Sequence, residues 1–320
     1  MLRPAIALSL LIAGMPCAAN AFTAYVSNEK SNTISVVDLD RMELTKSIPI
    51  GQRPRGIVLS ADKSKLYVCT SDDDRITVLD LNKLAIEGTL PSGPDPELLI
   101  LHPDGQRLFV SNEDNNLVTA IDVRNGAVLG EVPVGVEPEG LGISPDGKTL
   151  VSTSETTNMA HFIDIASGQV TQNVLVNSRP RVAEFTRDGS RVWVSSEVGG
   201  TVAVIDTATH KVIKTIAFAI QGVRPEAIQP VGIRITSDQK TAFVALGPAN
   251  RVAAVNAETF EVESYILVGQ RVWQLAFTPD EKWLVSTNGL SNDISVIDVK
   301  ARQAVKSITV GQLPWGVAIR

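Results

Sequence analysis

Charged and aromatic residues recur in this chain as pairs that flank a proline. Arg53 and Arg55 flank Pro54, Asp95 and Glu97 flank Pro96, Glu137 and Glu139 flank Pro138, and Arg179 and Arg181 flank Pro180. Gln229 and Val231 flank Pro230, and Leu313 and Trp315 flank Pro314. Arg271 and Trp273 follow the same pattern with Val272 in the proline slot. Gathered at one point, these groups have three uses. A guanidinium (Arg55 or Arg181) can polarise a carbonyl while a carboxylate (Glu97 or Glu139) activates water, which is the equipment for hydrolysing a lactone. Carboxylates can hold a hard cation; the candidates are Glu113, Glu155 and Glu197, which with Glu29 occupy equivalent repeat positions. Tryptophan and arginine together are also what anchors a protein partner or a small ligand.

Other chemistry is poorly supported. His102, His161 and His210 fall in three different repeats, so they read as structural residues rather than as a metal site or proton relay. There is no haem-attachment motif, nucleophile elbow or phosphate-cradling glycine loop. With 29 Lys+Arg against 35 Asp+Glu the net charge is −6, whereas a nucleic-acid binder carries a basic surplus. A hydrophobic share of 44% with 20% charged residues is that of a folded globule.

Residues 1–21 read as a secretory signal peptide: Arg3, an apolar run from Ala5 to Met15, and Ala19-Asn20-Ala21 before Phe22. The run is too short to span a membrane. The expected product is a soluble periplasmic or secreted protein with one remaining cysteine, Cys69, which reads as a small buried strand residue.

The elements that must position the paired residues are written in a repeat. The segment Thr33-Ile34-Ser35-Val36-Val37-Asp38 recurs with its last residue at 80, 122, 164, 206, 256 and 298, at steps of 42 with one of 50. Seven copies of this length, each reading as four strands, indicate an all-β, seven-bladed β-propeller. It forms a single domain over residues 22–320, with extra residues near 221–230. The first strand, near Thr23, is a blade's second, and the last, at Pro314–Arg320, is a blade's first. The N- and C-terminal strands therefore pair in one blade and close the ring, which removes an exposed sheet edge. The strand-ending Asp residues, and a second series at 62, 104, 146, 188, 238 and 280, read as turn residues that share one face. The proline-flanking pairs belong on the other face, around the channel mouth. One arc there is expected to be charged, and the opposite arc to carry Trp273 and Trp315.

Tyr25-Val26-Ser27-Asn28, the repeated Val-Ile-Asp strands and the turn Ser144-Pro145-Asp146-Gly147 resemble those of the YVTN-repeat β-propellers. The whole arrangement is most similar to the β-propeller proteins associated with PQQ-dependent catabolism. The resemblance implies an accessory role beside periplasmic quinoprotein alcohol oxidation and an ABC-type transporter. It brings no catalytic residues, and any connection with PQQ is indirect, so no cofactor is expected beyond a possible channel cation. Two functions remain open. One is a non-catalytic binding protein that docks a periplasmic protein or a small ligand through Arg53, Arg55, Asp95, Glu97, Glu137, Glu139, Arg179, Arg181, Arg271, Trp273 and Trp315. The other is a lactonase-like hydrolase, since seven-bladed lactonases share the architecture.

Overall fold

The computed structural model describes residues 22–320; the expected signal peptide lies outside them. Among these residues there are 28 strands in seven four-stranded antiparallel sheets and no α-helix. β-branched residues fill the two middle strands of each blade. Both faces of those strands are covered by neighbouring blades, so they read as continuous apolar runs such as Ile76-Thr77-Val78-Leu79.

Blade 1 has the order β28 (Pro314–Ile319), β1 (Thr23–Asn28), β2 (Thr33–Asp38), β3 (Glu43–Pro49). The expected closure is thus present, with Ala24 opposite Ile319 and Val26 opposite Val317. The closed ring is cemented by apolar packing across the seam, where Val26, Val37 and Val317 of blade 1 meet Val285 and Val296 of blade 7. The other inner strands are β4 (Pro54–Leu59), β8 (Pro96–Leu101), β12 (Pro138–Ile143), β16 (Pro180–Phe185), β20 (Ile233–Ile235) and β24 (Val272–Phe277).

Close approach of these inner strands demands glycine. A Cβ on Gly56 would lie 2.5 Å from the Glu97 carbonyl oxygen of the next blade, and one on Gly232 would lie 2.7 Å from that of Trp273. Both asparagine and aspartate do the expected turn work on one face. Asp80 Oδ1 accepts the backbone N–H groups of Asn82 and Lys83 at 2.8 and 2.9 Å. Asn256 Oδ1 accepts those of Glu258 and Thr259 at 3.0 and 2.9 Å, and Asp104 serves the second series in the same way. Burial of apolar area supplies the main stabilisation, and these turn bonds fix the register.

Candidate functional site

The opposite face carries the loops between second and third strands and the connections into each inner strand. At six of the seven positions the residue before the proline, or before Val272, sits in the left-handed region: Arg53, Asp95, Glu137, Arg179, Arg271 and Leu313 have φ between 49° and 58°, and Gln229 is the exception. That conformation is costly for a non-glycine residue. It is held by a device that the reading of the sequence missed. An amide oxygen from the preceding blade accepts the residue's N–H: Asn32 for Arg53, Asn116 for Glu137, Asn158 for Arg179, Asn250 for Arg271 and Asn292 for Leu313, at 2.9–3.0 Å. Asp74 does the same for Asp95 at 3.0 Å. The signal was available, because these acceptors recur at the 42-residue step. Gly200 takes the position in blade 5, and there the chain makes its longer excursion instead. The excursion delivers Gln229, whose Oε1 accepts Arg271 Nη1 at 2.5 Å.

The left-handed turn aims residues i and i+2 into the mouth, and there they meet. Arg55 Nη1 lies 2.5 Å from Glu97 Oε1, and Arg53 Nη2 lies 2.8 Å from the same oxygen. Arg53 also pairs with Asp95. Arg181 Nη1 lies 2.5 Å from Glu139 Oε2 and contacts Glu155 as well. Arg179 Nε is 2.7 Å from Glu155 and 3.3 Å from Glu197, and Arg271 Nη2 is 2.6 Å from Glu197. Among the described residues Glu137 has no arginine partner; it accepts the hydroxyl of Thr156.

Two expectations change. The tryptophans do not form a separate arc, because arginines reach across to them. Arg55 lies over the Trp315 ring at 4.8 Å from its centroid, while Arg271 at 4.3 Å and Arg181 at 5.6 Å flank Trp273. Trp315 is completely buried, because Arg55 and the adjoining inner strands cover it; it presents no ring to a partner. The second change concerns Glu155 and Glu197. They lie inside the charged ring, 5% and 4% exposed, and arginines neutralise them, so of the candidate ligands only Glu113 has no cationic partner among the described residues.

Burial sets the electrostatics. It pushes the Glu139 carboxyl well above the usual range, against the opposing charge of Arg181. Neighbouring Glu155 is also penalised by burial, yet Glu139, Arg181 and Arg179 hold it below its ordinary value. Glu113 is pushed up to about 8 by burial and by Glu97 beside it. Asp95 is pushed up to about 6, again by burial first and Glu97 second.

His161 and His102 are held in place by hydrogen bonds, and His210 packs edge-on against Phe162. His161 Nδ1 lies 2.6 Å from Asn173 Oδ1 and its Nε2 accepts the Gly135 N–H at 3.0 Å, so the ring is neutral with the proton on Nδ1. His102 Nε2 lies 2.8 Å from the Gly147 carbonyl oxygen. Cys69 is buried and unpaired, and burial raises its thiol far above the reactive range.

The fold and ring define a seven-bladed propeller whose channel mouth is lined by an ionic cluster. The chain matches the choice-of-anchor I domain family over residues 116–290 and belongs to that family. No curated protein matches it. It is similar to a chain of the Kuenenia stuttgartiensis hydrazine synthase structure (21% identity, TM-score 0.78), over 90% of this chain and 98% of that one. It is also similar to a functionally unknown protein from Desulfotomaculum acetoxidans (17% identity, TM-score 0.76), over 93% of this chain and 98% of that one. At these identities the likeness is one of fold. Among the described residues no helix is long and apolar enough to cross a membrane.

Proposed function

We propose that the protein is an exported, non-catalytic binding module that docks a protein partner on the channel-mouth face. The observation that carries this reading is the distribution of exposed apolar side chains. Outside the outermost strands, the large exposed apolar residues are Val136, Val198 and Leu290, at 43%, 64% and 63% exposure. All three sit in loops of the mouth face. Leu175 and Leu267, 66% and 61% exposed, end outermost strands at the rim of that face. The turns of the other face carry no counterpart among the described residues, although Leu44, Ile86, Val128 and Val212 begin outermost strands at its rim. Apolar residues around a polar centre are the usual composition of a docking surface.

The groups that lactone hydrolysis would require are engaged elsewhere. Glu97 and Glu139 are 0% and 2% exposed and bound to arginines, and Arg55 and Arg181 are committed to those carboxylates. A general base must lie within reach of a substrate's water, and carboxylates this deeply buried do not meet one. Following the sequence resemblance, the partner class is a periplasmic component of quinoprotein alcohol oxidation or its associated transport. Membership of the choice-of-anchor I family fits an exported or cell-surface chain.

The test is interaction measurement by biolayer interferometry against purified dehydrogenase, cytochrome and transporter-binding components. The reading requires saturable binding that Val198→Glu and Leu290→Glu abolish and that Asp62→Asn, on the other face, leaves intact. Lactone turnover lost in Glu139→Gln would overturn it.

A further inference from the structure

We infer that the seam between blades 3 and 4 is a binding site for a small aromatic monocarboxylate. Blade 3 carries the inner strand β8 and blade 4 the inner strand β12. A cavity of about 360 Å³ lies between them, walled by Phe109 of blade 3 and by Leu150, Ile163 and Ile165 of blade 4. The other seams show why it is open. One residue in each outer hairpin turn has a left-handed backbone, at positions 42, 84, 126, 168, 210, 260 and 302. Where that residue has a side chain, it reaches back to the preceding blade and plugs the seam. Met42 packs into the core shared with blade 7, and Leu84 into the core shared with blade 1. His210 lies edge-on to Phe162 at 4.8 Å, and Phe260 lies 5.8 Å from Trp193. In blade 4 the residue is Gly168, and a Cβ there would meet nothing within 4 Å. Gly126 also lacks a plug, but Pro91 and Leu90 close that seam, 3.5 and 3.7 Å from where its Cβ would be.

A second reduction widens the gap. Ala120 stands where the repeat has Val36, Val78, Phe162, Val204 and Val296. Blade 6 supplies the control, because it combines Phe243 with Ala254 as blade 3 combines Phe109 with Ala120. There Phe277 packs edge-on against Phe243, and Arg302 pairs with Glu263 across the seam. In the seam between blades 3 and 4 those positions hold Ile143, Gly168 and Leu129, and Leu129 stands 52% exposed at the cavity's edge. Packed interiors leave few voids of this kind. A gap one side chain thick between two sheets suits a planar apolar body. Arg107, which also lines the cavity, suits the head. Its Nε donates to Asp104 Oδ2 at 2.8 Å and its Nη2 to His102 Nδ1 at 3.2 Å, which fixes the guanidinium and leaves Nη1 uncommitted among the described residues. Asp104 also takes the backbone N–H groups of Gln106 and Arg107, so its charge is met within its own turn. Nη1 therefore offers charge-assisted donors to a carboxylate. An apolar chamber with one placed charge, at the small end of the roughly 300–1,000 Å³ range, is the usual form of a small-ligand site. The site is independent of whether the mouth face docks a partner.

The experiment is isothermal titration calorimetry of the purified protein with sodium benzoate, with benzyl alcohol as the neutral comparison. The expected result is one saturable benzoate per chain, bound at least tenfold more tightly than benzyl alcohol. Gly168→Leu, which restores the plug that Leu84 provides in blade 2, should weaken benzoate at least tenfold. Circular dichroism of each variant establishes folding, and Ala120→Phe, with the same expected loss, serves if Gly168→Leu does not fold. Arg107→Gln should remove the preference for benzoate over the alcohol, and Val198→Glu, on the mouth face, should bind as wild type. Absence of saturable binding up to millimolar benzoate would overturn the inference. So would benzoate binding that survives Gly168→Leu in a folded protein, benzyl alcohol bound as tightly as benzoate, or binding lost with Val198→Glu. A dimer in sedimentation velocity that Gly168→Leu disperses would assign the cavity to a second copy of the chain and equally defeat it.

Discussion

Asn158 and Arg179, twenty-one residues apart in neighbouring blades, are joined by a hydrogen bond of 3.0 Å from the arginine backbone N–H to the asparagine Oδ1. Both residues are left-handed, with φ of 57° and 58°. The bond therefore fixes the turn that throws Arg179 and Arg181 into the channel mouth. Asn158→Gly keeps the backbone conformation and removes only the acceptor, so it should cost about 1 kcal/mol. Asn158→Ala removes the acceptor and also the short polar side chain that lets asparagine tolerate the left-handed region, for a total of about 2 kcal/mol. Asn158→Asp should stay near wild type, because Asp74 already serves Asp95 in this way. Urea denaturation of the three variants checks the order.

Arg181 holds the deepest part of the ring. It is 2% exposed and touches Glu139 and Glu155 while lying against Trp273. Arg181→Met would leave buried carboxylates without their cation, a loss of about 3–5 kcal/mol. In a domain this size that is on the order of 10 °C of melting temperature. Combining it with Glu139→Gln removes one of the stranded charges, so the double variant should melt above Arg181→Met alone. Equal melting of single and double variants would mean that the pair is not coupled.

The architecture was legible because it is repetitive. Seven copies of a strand ending in Asp or Asn require seven turns, and the termini of the chain supply complementary strands of one blade. The composition of the mouth was legible for the same reason, since proline marks each entry into an inner strand. Which charges meet was not. Arg181 and Arg55 reach tryptophans on other blades, and Glu155 and Glu197 turn inward, because long side chains choose partners by distance across the ring. The sequence orders residues only along the chain. The asparagine acceptors were present at the repeat step, but an amide in a loop carries no sign of the backbone it will hold until the next blade is in place.

The inner strand of blade 1 is contributed by the end of the described chain. β28 brings Trp315, wholly buried, and Gly316, whose N–H is held by Ser27 Oγ at 2.9 Å. Removing residues 314–320 would expose the edge of β1 and uncover Arg55. The truncated protein should lose cooperative thermal unfolding and associate through the open edge. Light scattering and calorimetry would show this, and a monomeric, cooperatively melting truncation would contradict it.

Acidic groups with raised and lowered values should give the protein a stability maximum on the acid side. Glu113 goes from an ordinary 4.5 to about 8 on folding, and Asp95 from 3.8 to about 6, through burial and then the charge of Glu97. Between the ordinary and the raised value the folded chain binds more protons than the unfolded chain, so stability falls as pH rises. This contribution is complete below the ordinary values and lost as pH climbs through about 6 for Asp95 and about 8 for Glu113. The turn aspartates act in the opposite sense: Asp62 is lowered to about 2 by hydrogen bonds from Ser60 and Ser64, so its contribution is lost as pH drops below 3.8 towards 2. Melting temperature should therefore decline as pH climbs from about 6 to about 8, the values of Asp95 and Glu113. Glu113→Gln, which is neutral throughout, should flatten the upper part of that decline. A decline of unchanged slope in this variant would place its source elsewhere in the ring.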